Sequence, residues 1–423
     1  MRPGEERVAR MALGMLVEPG CRELGVLVRS VGAQEALARV VGGFGISRAL
    51  AGAVQARVRG SGVEGSPDVG TQLAERMEEL AERLGARIVT AVDEEWPSAL
   101  DDLVKASREG NMLRRDTDPP MCVWLRGPLR FAETLERSVS VVGARAITGY
   151  GAYVASEFAY GLAECGCTVV SGGALGVDVT AHRGALAGAG ATVAVLACGI
   201  DKAYPAANAA VLEQIGDEGL LVTEWPPGTH PHKTRFLTRN RVIAAATRGT
   251  VMIEAGSRSG ARSTLGYARL LQRTAMVVPG PINSPMSVGC HVELRQPGTV
   301  LVTRVEEVIE EIGSIGELAT PIQGAGRPED VLDPLQARIL DAVRPRRATT
   351  AEQIAATAGV SGRDARRNLP LLEELGFVVS GPDGYRLSSE PRGPVEGEPP
   401  PAGRPAGRRG SAEPRPPGGE EGW

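Results

Sequence analysis

Hydrophobic positions recur at helical spacing through the first part of the chain. Val8, Met11, Ala12, Met15 and Leu16 fall on one helix face, as do Leu37, Val40 and Val41 before Gly42 and Gly43 end that segment. A further helical stretch runs from Leu73 to Leu84 and stops at Gly85, preceded by a glycine-rich linker over 60–70. Short apolar runs at Ile88–Val92 and Val123–Leu125 read as strands. From Ser138 to about Gly313 the pattern changes. Apolar, β-branched runs predict strands at Val139–Val142, Thr168–Ser171, Thr192–Ala197, Leu220–Glu224, Thr250–Glu254, Ala275–Val278 and Val300–Val302. Helical segments separate most of them, at Tyr150–Glu164, Val177–Ala189, Ala206–Gln214, Thr238–Ala246 and Ser263–Gln272. Buried strands alternating with helices predict an α/β fold: a doubly wound, mostly parallel sheet covered on both faces, with ligands at the strand carboxyl ends.

A third pattern occupies 332–388. Leu335, Ile339, Leu340 and Val343 mark one helix, Thr350 with Gln353 forms a capping box for a second, and Leu369, Leu372 and Leu375 mark a third over Arg363–Leu375. Phe377–Val379, a Gly-Pro-Asp-Gly turn and Tyr385–Leu387 add a hairpin, so the segment predicts a winged helix-turn-helix. Arg363, Arg366 and Arg367 lie on the helix that would enter a DNA groove; a winged helix used for protein contacts is the other reading. Residues 389–423 are rich in proline and glycine and poor in aliphatic side chains, which predicts a disordered tail. The expected organisation is an N-terminal helical domain (1–115), an α/β core (116–320), a linker (321–331), the winged helix (332–388) and the tail.

Composition excludes several classes. The chain has 423 residues, 42% hydrophobic and 23% charged, ordinary values for a soluble protein of about three domains. No apolar run approaches the ~20 residues of a membrane span, and the acidic start MRPGEERVAR is not a signal peptide. A cytoplasmic location is expected. The six cysteines (21, 122, 165, 167, 198, 290) form no CxxC pair and read as reduced thiols; with four histidines and no zinc-like spacing, neither a metal nor a cofactor is expected. Net charge is −4, yet Trp225–Val292 holds Lys233, Arg235, Arg239, Arg241, Arg248, Arg258, Arg262, Arg269 and Arg273 against Glu254 alone. A local charge of +8 points to an anionic ligand or polymer, or to pairing with the acidic N-terminal region.

Four strand-end loops carry candidate chemistry. Val142-Gly143-Ala144-Arg145 places an arginine able to grip phosphate ahead of a helix. Ser171, Gly172, Gly173 and Gly176 open the next helix as a possible anion cradle. Within that helix Asp178 and His182, four residues apart, are either an acid/base pair or a structural pair, Asp178 capping the loop and His182 hydrogen-bonding it. Lys233, Phe236, Arg239, Asn240 and Arg241 read as a polar loop in which cations bracket one phenylalanine, the pattern of a base-stacking platform; Phe236 as a core anchor is the alternative. Glu254–Thr264 resembles a nucleophile elbow, but Arg258 stands where its serine would be, so a second phosphate-binding turn at Ser259, Gly260 and Arg262 is favoured.

Together, VVGARAITGYG (141–151), SGGALGVDVTAHRGAL (171–186), AVLACGIDKAYPAAN (194–208), FLTRNRVIAA (236–245), EAGSRSGARST (254–264) and VVPGPINSPMSVGCH (277–291) resemble the DNA-processing protein A family (DprA, also called Smf) in order and spacing. The resemblance covers about 86–313. It implies an extended Rossmann-like core that binds no dinucleotide and holds single-stranded DNA without catalysis. It also implies a recombination mediator that protects the strand and helps load a RecA-type recombinase during natural transformation. Carried over by motif, Arg145 and Lys233 become phosphate contacts and Phe236, Arg239, Asn240 and Arg241 base contacts, with a homodimer formed through the later part of the core. Two departures stand out: Arg262 replaces an apolar position of the family's SGSLxTA motif and could add a cation to the strand path, and Gly289-Cys290-His291 replaces GxN.

Two other classes remain to be separated from this one. A nucleotide-processing enzyme of the phosphoribohydrolase type would carry a PGGxGTxxE signature, which is absent; here Glu254 precedes its loop. A duplex-binding regulator would act through the winged helix.

Overall fold

The computed structural model describes residues 3–63, 68–108, 117–313 and 332–388. The chain divides into two compact units, Met1–Thr320 and Pro321–Trp423.

The first unit is built on a nine-stranded sheet, its strands being β1 (Arg87–Thr90), β2 (Cys122–Arg126), β3 (Ser138–Val142), β4 (Thr168–Ser171), β5 (Thr192–Val195), β6 (Leu220–Thr223), β7 (Gly249–Met252), β8 (Thr274–Val277) and β9 (Thr299–Leu301). Their order is β1-β2-β6-β5-β4-β3-β7-β8-β9. Pairing is parallel from β6 through to β9, whereas β1 and β2 run antiparallel at one edge. Alternate residues serve opposite faces: Val139 and Val141 of β3 join one core cluster and Val142 the other. The chain winds from β3 outward to β6, then crosses back to lay β7 on the other side of β3. Strand order therefore reverses between β3 and β7, and the crevice at their carboxyl ends is the expected ligand site of such a sheet.

The N-terminal helices do not form a separate unit. Pro3–Leu16 and Val69–Arg83 lay Met11, Ala74, Met77 and Ala81 against Trp124, Ala194 and Leu196, so they cover one face of the sheet at its β2–β5 end. The helical stretch ends at Arg83, and β1, placed by sequence in a helical domain reaching 115, is a strand of the core sheet.

A larger departure concerns Lys233–Ala245. This segment is one helix, although the sequence reading starts the helix at Thr238 and leaves the cations in a loop. It shows no apolar periodicity because Arg239, Asn240 and Arg241 are all buried, each bonded to a group outside the segment or at a distant turn.

The second unit has the expected winged-helix elements: helices Pro334–Asp341, Ala351–Ala358 and Gly362–Glu374, then the hairpin β10 (Val378–Gly381) and β11 (Gly384–Leu387). Ile339, Ile354, Leu369, Leu372 and Phe377 close its core. Thr350 and Gln353 form the predicted capping box, and Ser361 caps the third helix. The linker at 321–331 and the tail at 389–423 lie outside the described residues.

Candidate nucleic-acid interface

At the reversal point opens a cleft of about 1020 Å³, lined by the loop after β3 (Gly143–Ala146), the first turns of Lys233–Ala245 and the turn Gly256–Ala261 after β7. Two aromatic residues, Tyr204 and Phe236, are among its lining residues. Phe236 projects from the second turn of its helix, with the Arg145 guanidinium 4.6 Å above its ring and the Tyr204 ring 5.8 Å away at 46°. Tyr204 is 44% exposed. Lys233 and Arg258 stand exposed on the same cleft, and neither they nor Arg145 meet a carboxylate among the described residues.

The remaining cations of Trp225–Val292 are mostly already neutralised. Arg241 is fully buried and donates to the Glu224 carboxylate at 2.6 Å. Arg241 does not border the cleft, although the motif carry-over implies a base contact for it. On a helix, positions 239 and 241 face different directions, and only a loop could have presented both. Arg262 bonds Glu293 at 2.6 Å and the Ser257 carbonyl at 2.6 Å, Arg269 meets the same glutamate, and Arg262 does not border the cleft. Arg273 pairs with Asp102 at 2.8 Å and Arg235 with Glu18 at 2.7 Å. Much of the apparent +8 is thus pairing with acids from outside the segment, some of it with the N-terminal layer.

Arg239 lines the floor of the cleft while most of its side chain is buried. It is 3% exposed and donates through Nη1 to the Val195 carbonyl at 2.7 Å. Its guanidinium covers Gly172: a Cβ there would stand 1.8 Å from Nη1. Burial lowers Arg239 to about 10, which leaves it charged at neutral pH, and raises the neighbouring Asp178 carboxyl. Asn240 donates to the Gly260 carbonyl at 3.2 Å and so ties the helix to the turn after β7, while its edge still borders the cleft. Ser259 and Gly260 also border it.

The glycine loop after β4 is not an open cradle. Ser171, Gly172, Gly173 and Gly176 are buried, the Ser171 hydroxyl donates to the Val141 carbonyl at 2.6 Å, and Gly173 accepts from Asn208 at 2.9 Å. Gly176 has φ +83°, and a Cβ would fall 2.2 Å from the Ala144 carbonyl oxygen. Gly176 lets the loop after β4 nest against the backbone of Ala144 and Arg145 in the loop after β3.

Asp178 accepts from the Ala174 amide at 3.4 Å and borders the cleft. His182 instead pairs through Nδ1 with Thr192 of β5 at 2.8 Å, not with the loop. Burial, with Arg239 nearby, lowers His182 to about 3. The ring therefore stays neutral in the fold at pH values where the unfolded chain binds a proton. The stability it supports is complete above the unfolded value near 6.5 and declines as pH falls toward 3, by about 1.4 kcal/mol per unit. Denaturant titrations at pH 7 and pH 5 should show this loss in the parent and a smaller one in His182→Gln.

Glu254, just after β7, is held by Thr148, whose hydroxyl and amide donate to its two oxygens at 2.6 and 3.0 Å. It pins the start of helix Gly149–Glu164 to the end of β7. Sequence reasoning passed over Tyr204 and Arg258 as site residues. An exposed tyrosine in a chain with 4% aromatics, and a cation at a strand-end turn, were the available signals.

Known proteins share this architecture. The family model described as DNA recombination-mediator protein A matches residues 87–313, and a helix-turn-helix domain model matches 331–380. A Mycobacterium tuberculosis protein named as DNA processing protein DprA is 42% identical over 366 residues, covering 86% of this chain and 90% of that one. The DNA processing protein DprA of Streptococcus pneumoniae is 38% identical over 194 residues, 46% of this chain and 67% of that protein. The X-ray structure of the Streptococcus pneumoniae DprA superposes with a TM-score of 0.53 at 27% identity, covering 73% of this chain and 97% of that one. With the family model spanning more than half of the sequence and one relative matched along nine-tenths of its length, the chain belongs to the DNA recombination-mediator protein A family.

Proposed function

We propose that the cleft binds single-stranded DNA without regard to sequence, and that the chain acts without catalysis as a mediator that protects the strand and helps load a RecA-type recombinase during natural transformation. We infer that it does so in the cytoplasm as a homodimer. The observation that carries this reading is the Phe236 ring grouped with Arg145 and Tyr204 on the cleft that Lys233 and Arg258 also line. A ring offers a stacking face to any base, and free cations follow a phosphate chain whatever its sequence. The family membership and the names of its relatives support the same reading. Both Glu254 oxygens being engaged by Thr148 supports a binding role over a glycosidic-cleavage role for that acid.

Anisotropy titration of a labelled homothymidine oligonucleotide tests it. Loss of one stacking platform costs roughly 1–3 kcal/mol, so Phe236→Ala should weaken binding about five- to 150-fold. The dependence of affinity on salt should not change, because no phosphate contact is lost. Parent-like affinity in Phe236→Ala, or release of free base from nucleoside monophosphates by the parent, contradicts the proposal.

A further inference from the structure

The second unit presents a face that its own core does not use. Its third helix, Gly362–Glu374, buries Ala365, Asn368, Leu369 and Leu372. The opposite side stays in solvent, with Arg363, Arg367, Pro370, Leu371 and Glu374 exposed. Leu371 is 42% exposed, Leu375 just beyond the helix 36%, and Val379 on the adjoining strand 39%. A helix that reads DNA offers polar and cationic side chains to base edges and phosphates. Here the second half of the helix offers leucines, a proline and a carboxylate instead.

Along the helix the exposed stripe runs cationic, apolar, anionic. Arg366 is committed to Glu352 at 2.8 Å and Glu373 to Ser380 at 2.6 Å, whereas Arg363, Arg367 and Glu374 have no charged partner among the described residues. This order is self-complementary about a two-fold axis. At a rise of about 1.5 Å per residue, Arg367 lies about 6 Å to one side of Leu371 and Glu374 about 4.5 Å to the other. In two helices packed antiparallel with Leu371 over its copy, each Arg367 falls within about 1.5 Å, along the axis, of the other copy's Glu374.

We propose that this unit pairs with a second copy of itself through that face, Leu371 meeting Leu371 between two reciprocal Arg367–Glu374 ion pairs, with Leu375 and Val379 at the rim. The contact is isologous, the same patch serving both copies. One helix face of this length buries less than a standard interface, so the pairing is weak between free chains and strong between chains already held close. It is independent of the DNA-binding cleft and needs no nucleic acid to be measured.

Sedimentation of the full chain over a concentration series, without DNA, is the test. A further association step, from the core homodimer to larger species, is expected in the parent and should be lost in Leu371→Arg. Arg367→Glu and Glu374→Arg should each weaken it severalfold, and the doubly swapped chain should recover it. All three positions are exposed, so thermal unfolding should match the parent. Absence of the step in the parent, its persistence in Leu371→Arg, or failure of the double swap to restore it overturns the proposal. So does a Leu371→Arg chain that associates normally but loses duplex DNA, which would make this face a DNA reader.

Discussion

Replacing Arg145, Lys233 and Arg258 together by alanine is expected to remove most of the electrostatic attraction of the cleft for a single strand. Each is exposed and free of carboxylate partners among the described residues, so its charge is available to a phosphate. Single strands lose about 0.7 in the slope of log affinity against log salt for each phosphate no longer neutralised, so the slope should become shallower by about 2. Hydrogen bonds to charged groups contribute about 1.5–3 kcal/mol each, which for three places the affinity loss at about a thousandfold or more. Arg239 and Arg241 are deliberately outside this variant, since their removal would damage the fold and confound the measurement. Anisotropy titration at several salt concentrations decides the matter; an unchanged slope would mean that the strand takes another path.

Arg241→Ala should instead leave its mark on stability. The Arg241–Glu224 pair is 0% and 3% exposed, and removing the arginine strands in the core a carboxylate whose other oxygen already lacks a partner. Burial already pushes the Glu224 carboxyl upward, with Arg241 pulling it back. Breaking a buried pair from one side costs about 3–5 kcal/mol, whereas replacing both partners by apolar residues of similar volume is often close to neutral. Denaturant unfolding should therefore show a large loss in Arg241→Ala, and recovery of much of it in Arg241→Met/Glu224→Leu. Below its unfolding transition Arg241→Ala should bind a single strand as the parent does. Parent-like stability with lost binding would restore Arg241 to the site.

These two arginines show where the sequence stopped being legible. The sheet was readable because its strands are buried on both faces and written as apolar runs. Arg145 and Phe236 were readable because strand-end loops of such a sheet hold ligands, and an arginine or a phenylalanine among polar residues stands out there. The helix Lys233–Ala245 was not, because the groups that satisfy its buried polar residues come from Val195, Glu224 and Gly260, none of them within the segment. The charge of Trp225–Val292 misled for the same reason: its balancing acids include Glu18, Asp102, Glu224 and Glu293. A glycine run reads alike whether its open side receives a phosphate or the protein itself. At Gly172 it receives the Arg239 guanidinium, and at Gly176 the Ala144 carbonyl.

Glu18 connects the N-terminal layer to the approach to the cleft. It accepts from the Trp225 indole at 2.8 Å, from Arg235 at 2.7 Å and from Arg57 at 2.6 Å. Burial alone would raise its carboxyl, but these partners hold it below the usual carboxylate range. The residue stands well ahead of the segment matched by the family model, yet it braces the helix that bears Lys233 and Phe236. A recombinant fragment cut to begin at Arg87 would strip the cover from Trp124, Ala194 and Leu196 and leave Arg235 without its acid. Such a fragment would be prone to clump, and a weak grip on DNA measured with it would report a bared flank rather than the strength of the cleft.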